Sequence, residues 1–353
     1  MVKVAVVRRE LPTWLETVIR VSLLLLGLVI AGALTSIASR IPVQLSYTTL
    51  FHSFVDLNVF MYISIFLPMT LGLILAFNAK IWNLGAEGQH VLGAVGAAYI
   101  ALFTSIGREP GIAPILALLV AALLGALWAL PPALLRIFLG VNEGLTTLLM
   151  NFVAYYLVNY LVRGPWRGRG VYGYPTTDML PQESWIRTEP GYSFSWYIVG
   201  VSIALAIVLY FILYSTRLGI AIRAIGESPY VVKASGMSTN WLTLLTFLIS
   251  GALAGFVGGV KVLTYFRKLV LGEIIGSGHG YTAIMVAWLS TLNPLLAIPA
   301  SYYTGALYVM SFGLQIGSAA VGDALANAVV GSLLTLTILA DFLTRYKLTI
   351  KLR

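Results

Sequence analysis

The sequence predicts an all-α protein, a polytopic membrane helical bundle of about ten transmembrane helices with both termini cytoplasmic. Three observations predict it. Hydrophobic residues make up 59% of the chain and charged residues only 10%, where a soluble domain carries about a quarter charged residues. Apolar runs recur from end to end with no soluble block between them, so one transmembrane domain is expected over residues 1–353. Lys and Arg collect between the runs and at both ends, as the positive-inside rule requires. The net charge of +9 is therefore spread along loops that meet anionic lipid heads, and no basic groove for nucleic acid is implied.

The elements follow in order. Lys3, Arg8, Arg9 and Arg20 precede the first uncharged run, Val21–Ser39. Its length and the runs behind it favour a retained span over a cleaved signal peptide, for which Ala31–Gly32–Ala33 would be the small-residue site. Further spans fit 58–77, 89–106, 112–131, 145–162, 195–214, 241–262, 280–292, 295–315 and 323–341, with Leu292–Asn293–Pro294 as a turn or half-helix junction. With the N-terminus inside, Arg136, Arg217, Arg223 and Lys233 fall inside, as do Arg345, Lys347, Lys351 and Arg353. The external loop 163–194 carries Arg163, Arg167, Arg169 and Arg187, which a long loop tolerates; Lys261, Arg267 and Lys268 fall outside against the rule. The Gly, Pro, Tyr and Trp of that loop suit an ordered surface segment with interfacial aromatics, an external gate or a dock for a soluble partner.

The segment from Asn78 to Gln89 stands apart. It sets an acid, several amides and two glycines between two long apolar runs. Polar groups at membrane depth are costly and usually face a pore, a partner or water. The glycines suggest a helix that breaks or starts late, which is tolerated only where protein or a cavity covers it. We expect Asn83, Glu87 and Gln89 to line a solute pathway, with Asn142, Glu143 and Asn151 opposite. Amides hydrogen-bond neutral, hydroxyl-rich solutes without fixing a charge. The plainer alternatives are a helix-start acid for Glu87 and an N-terminal cap for Glu143. There is no cysteine, which excludes disulfides, thiolate metal sites and cysteine nucleophiles; His52, His90 and His279 lack metal-ligand spacing, so neither metal nor cofactor is expected.

The inner loop at 215–240 reads as two short helices. Leu218, Ile222 and Ile225 share a face of the first, Gly226 can take the left-handed position that ends it, Ser228 is an N-cap, Pro229 sits at N1, and Gly236 stops the second. Arg223, Glu227 and Lys233 would then project into the cytosol. Such a loop fits a cleft on a cytosolic partner, or serves as an amphipathic connector at the membrane surface.

Four motifs carry a resemblance. Arg223–Ala224, Gly226, Ser228–Pro229, Ala234 and Gly236–Met237 match one; Phe77–Asn78 with Asn83 to Gln89 a second. Gly140–Val141–Asn142–Glu143 followed by Thr146 to Asn151 is a third, and Gly251 to Gly255 a fourth. Together they resemble ABC-importer permeases of the branched-chain amino acid, ribose and nucleoside class. The stretch after Gly280 departs from that pattern. The resemblance implies a multi-pass permease subunit in the cell membrane, importing nucleosides or, as the alternative, simple sugars such as ribose or galactose. It implies an ABC ATPase subunit gripping Arg223, Ala224, Gly226, Glu227, Ser228, Pro229, Lys233 and Gly236, a second, non-identical permease subunit and an extracytoplasmic substrate-binding lipoprotein. No G-x-x-x-x-G-K-[ST] phosphate loop is present, so ATP hydrolysis is expected on a partner and the chain is not expected to be an enzyme. Gly251, Gly255 and Gly259 form a line on one helix face that would let helices approach closely or slide. An ion-coupled secondary transporter is the rival class, since broken helices and buried acids serve it too. An intramembrane hydrolase is not, because Asp323 and Asp341 lie about five turns apart on one helix.

Overall fold

The computed structural model describes residues 2–8, 12–40, 42–315 and 346–352, with a few positions between 331 and 344. The expected tenth span, 323–341, lies largely outside the described residues, as do Arg9, Asp323, Asp341, Arg345 and Arg353. The chain falls into two compact units, Met1–Val59 with Ala306–Arg353, and Phe60–Gly305.

The first unit adds a short two-stranded ribbon to a chain whose other described elements are all helical. Strand β1 (Val2–Arg8) pairs antiparallel with β2 (Tyr346–Leu352), Val2 opposite Leu352 and Arg8 opposite Tyr346. Tyr346–Leu352 alternates apolar residues with Lys or Thr, a period near two, and Val2–Arg8 is rich in β-branched Val; both suit a strand. Helix α1 (Thr13–Ser39) ends at Arg40 in the left-handed region, φ 52°. Helix α2 (Val43–Ser53), too short and polar to read as a span, folds back on it. Ser46 Oγ donates to Gly32 O at 2.6 Å and the Tyr47 hydroxyl to Val29 O at 2.7 Å. The Tyr47 ring occupies the place a Cβ on Gly32 would take, so Gly32 is a helix-packing position.

The second unit is helical throughout its regular elements. It holds α3 (Val59–Asn78), α4 (Ala86–Phe103), α5 (Ile112–Leu139), α6 (Glu143–Arg163) and α7 (Trp196–Ser215). After these come α8 (Arg217–Glu227), α9 (Pro229–Ala234), α10 (Thr239–Lys261), α11 (Gly272–Gly276), α12 (His279–Leu289) and the start of α13 (Ala297–Gln315). Among the described residues, 5 helices are long and apolar enough to cross a membrane: α3, α5, α6, α7 and α10 with its π-helical extension Val262–Phe266. Most observed ends lie within a few residues of those expected. Helix α5 is the exception, running through Pro131 and Pro132 to Leu139 where the sequence suggested a stop; transmembrane helices tolerate proline because neighbours satisfy the freed carbonyls.

Helices α4, α5 and α10 pack through small residues. Added Cβ atoms at Gly251, Gly255 and Gly259 would overlap Ala129, Gly125 and Ala121 of α5. The glycine line of α10 thus meets a matching small-residue line, and close backbone approach replaces side-chain interdigitation. Helix α4 closes against α10 in the same way, where a Cβ on Gly258 would strike the His90 and Ala94 backbone.

Hydrogen bonds sort the connections of this unit to two ends. At one, Lys80 pairs with Glu227 at 3.1 Å and Arg136 with Glu143. At the other, the 163–194 loop is stitched down. Thr177 N donates to Leu269 O at 3.0 Å, Leu180 N to Arg267 O at 2.8 Å, and Ile186 N to Leu263 O at 3.1 Å. Ser184 Oγ donates to Gly107 O at 2.5 Å. The Arg267 guanidinium lies 4.2 Å over the Trp185 ring. Lys261, counted against the charge rule as a loop cation, is 3% exposed and belongs to the interior.

Candidate functional site

Helix α3 ends with Lys80 in the left-handed region (φ 53°) and Ile81 N donating back to Ala76 O at 2.9 Å. Helix α4 starts only at Ala86, so residues 80–84 lie outside any helix and other groups must satisfy much of their backbone. Thr147 Oγ1 accepts from Leu84 N at 3.0 Å, and Asn151 Nδ2 donates to Leu84 O at 2.9 Å. Asn151 Oδ1 accepts from Gly88 N at 2.8 Å. The broken segment expected from the glycines is held by α6.

Each polar atom of the buried amides has a partner. Asn83 Nδ2 donates to Gln89 Oε1 (3.1 Å) and Ser250 Oγ (2.9 Å). Asn83 Oδ1 accepts from Gln89 Nε2 (3.0 Å) and Gly85 N (3.0 Å). Asn83, Glu87, Gln89 and Asn151 all have 0% exposure. Glu87 accepts from the Tyr155 hydroxyl at 2.7 Å, Gly278 N at 2.8 Å and Gly280 N at 2.5 Å. Its carboxylate therefore caps the N-terminus of α12 from the first turn of α4, where both helix dipoles favour negative charge. Along α6, Asn151 lies about 12 Å and Tyr155 about 18 Å from Glu143 at 1.5 Å per residue, which puts this cluster near the middle of the helix.

The structure thus unites four of the six expected pathway residues. Asn142 and Glu143 lie elsewhere, at the end that holds Lys80 and Glu227. Asn142 is an exposed N-cap whose Oδ1 accepts from Leu145 N at 3.0 Å. Glu143 pairs with Arg136 and accepts from Trp82 N at 3.2 Å.

The same cluster holds residues that sequence reasoning missed. Lys261 Nζ donates to Ile275 O and lies 2.9 Å from His279 Nδ1. His90 Nε2 lies 3.0 Å from Ile275 O. Asn159 Nδ2 donates to Glu273 Oε1 at 2.8 Å while its Oδ1 accepts from Gly272 N at 2.9 Å. These contacts pin the short helix α11 and the start of α12 against α4, α6 and α10. A readable signal existed: Asn151, Tyr155 and Asn159 recur at i, i+4 and i+8 on one face of an apolar helix. Among the described residues no three His, Cys, Asp or Glu side chains converge as a metal site needs.

The two short inner helices are present with Pro229 opening the second and Gly236 at φ 81° beyond its end. Three details differ from expectation. Gly226 lies inside α8, which runs on to Glu227; a Cβ there would sit 2.9 Å from Asn78 O and 3.0 Å from Lys80 Cγ, so the glycine serves close approach to the end of α3. Ser228 occupies the N-cap of α9 but its side chain makes no cap hydrogen bond. Arg223 does not project: its guanidinium stacks 4.9 Å over Tyr214. Glu227 and Lys233 are exposed, together with Ala234, Pro229 and the large apolar Ile220, Tyr230 and Val231, while Ala224 is half-buried.

Comparison with known proteins bears on this arrangement. Residues 56–339 match the family model described as branched-chain amino acid transport system / permease component. The glucose ABC transporter permease protein TsgB13 of Haloferax volcanii is 28% identical over 97% of this chain and 92% of its own length. Two guanosine ABC transporter permease proteins of Bacillus subtilis also match. NupP is 25% identical over 84% of this chain and 85% of its own length, and NupQ 27% over 67% and 74%. No solved structure matches the chain.

Proposed function

The chain belongs to the family of branched-chain amino acid transport system permease components, and we propose on that premise that it imports nucleosides, driven by an ATPase that acts through α8 and α9. Members of this family are integral membrane transport components without enzymatic activity of their own, and they work with an ATPase and a substrate-binding partner. The observation that carries the proposal is the contact between the α8–α9 elbow and the residue 78–85 segment. Gly226 abuts Asn78, and Lys80 pairs with Glu227 at 3.1 Å. The same segment leads within a few residues to Asn83 and Glu87, so a push on the elbow reaches the polar centre by a short, packed route. In this reading the elbow faces the cytosol, both termini lie on the same side, the 163–194 loop faces outward toward a binding lipoprotein, and about ten helices cross the membrane. The pairing of β1 with β2 supports termini on one side. Two distinct guanosine permeases of one organism among the relatives support a non-identical second permease.

Nucleosides are favoured by the paired guanosine relatives and sugars by the glucose permease relative, which spans more of this chain. Uptake of labelled adenosine or guanosine by the chain reconstituted with its ATPase, second permease and lipoprotein decides between them. Uptake that needs ATP, survives ionophores and resists excess ribose or galactose is the expected result. Competition by free sugar would move the substrate to the sugar class. Collapse with ionophore would replace the reading with an ion-coupled transporter.

A further inference from the structure

Resting on that pathway reading, we propose that the exposed rings of Trp288 and Trp82, with the half-buried rings of Tyr155 and Tyr281, form a subsite for a flat heteroaromatic ring such as a nucleobase. The first support is an inventory of hydrogen bonds. The amides of Asn83, Gln89 and Asn151 are turned inward and bonded to one another, to backbone or to Tyr281. None is left to grip a passing solute.

What remains on the surface is aromatic. On α12, Trp288 is exposed and Tyr281, Ile284 and Met285 are half-buried, while His279, Gly280, Thr282, Ala283, Val286 and Ala287 are buried, so the outer side chains form a single stripe at helical spacing. Trp82 is 52% and Trp288 37% exposed. Behind them Phe77, 7% exposed, stacks on Trp288 at 5.8 Å and 26° and fixes its plane. Trp82 lies 6.2 Å from Trp288, the two rings tilted by 30°. Tyr281 stands about 10 Å further along α12 at 1.5 Å per residue.

This face is unsuited to lipid. Glu273, whose carboxylate accepts from Asn159, and Ser277 are exposed residues just before α12, and acidic side chains inside a membrane face a cavity or partner rather than hydrocarbon. The chemistry also selects. The Tyr155 proton is spent on Glu87; Tyr281 accepts from Asn151 at 3.1 Å and keeps its own proton to donate. Ring faces with one directional donor suit a heterocycle with acceptor nitrogens. A free sugar, which asks for several donors and acceptors, finds too few here.

The test is adenosine uptake by the complete transporter in proteoliposomes carrying Trp288→Leu or Trp288→Phe. Loss of one stacking partner is expected to raise KM about tenfold in Trp288→Leu, with Trp288→Phe restoring most of the affinity. Unchanged KM in Trp288→Leu, or equal loss in both variants, overturns the subsite while ATP-driven uptake by the unaltered complex leaves the transport reading standing. Absence of ATP-driven adenosine uptake by the unaltered complex sinks both. Should Trp288→Leu fail to assemble, photolabelling of the unaltered complex with 8-azidoadenosine decides. Adducts within residues 281–288 or at Trp82 support the subsite, and adducts confined elsewhere overturn it.

Discussion

Glu87 shows what a buried acid does when both its oxygens are bonded. Three donors from two other helices converge on it, and it has 0% exposure. Glu87→Gln keeps the shape but brings an amide N–H against a backbone N–H, leaving a buried donor unpaired. The expected cost is about 2–4 kcal/mol, seen as a lower thermal midpoint of the purified complex. Lys261→Met removes the donor to Ile275 O and should destabilise similarly. Because both residues hold the α11–α12 start, the double variant should lose less than the sum. Additive losses would separate them into independent sites. The sequence revealed that Glu87 and Asn151 were unusual for their depth, but not that Glu87 answers to Tyr155, 68 positions away. Pairing across helices is a property of the packed bundle, which a single sequence does not print.

Elements were legible where they are long and apolar, because a span must satisfy its own backbone and cover itself in hydrocarbon. That logic recovered α3, α6, α7, α10 and α13 nearly end to end. It fails for α11 and for α2, which are short, and for the end of α5, where proline misleads. Gly226 is instructive: a left-handed cap and a close helix contact both favour a missing Cβ, and the structure uses it for the contact, not the cap. The contact makes its own prediction. Gly226→Val should wedge α8 away from Asn78 and Lys80, leaving ATP hydrolysis by the assembled transporter in place while uptake falls at least tenfold. Retained uptake would remove the elbow from the coupling route. Charge reversal tests the same joint more gently. Lys80 and Glu227 are mostly exposed, so Glu227→Lys should cost well under about 1 kcal/mol in stability. Any loss of uptake should be recovered by adding Lys80→Glu.

At the scale of the molecule, the terminal ribbon joins residues that are 348 positions apart, as Lys3 faces Lys351. Directly opposed residues in an antiparallel pair have Cα atoms about 4.5–5.5 Å apart, a separation that a disulfide spans. The chain contains no cysteine, so each introduced thiol reports alone. Oxidation of the Lys3→Cys/Lys351→Cys double variant should therefore close a covalent ring, detected as faster migration on a denaturing gel that reductant reverses. The single variants measure sidedness. If both termini are cytoplasmic and five of about ten spans precede the 163–194 loop, a membrane-impermeant maleimide should label Lys3→Cys and Lys351→Cys from one side and Arg169→Cys from the other. Labelling of the two terminal sites from opposite faces would require an odd number of crossings. The ribbon could not then form in the membrane, and the assignment of α8 and α9 to the ATPase side would lose the support it draws from the shared side of the termini.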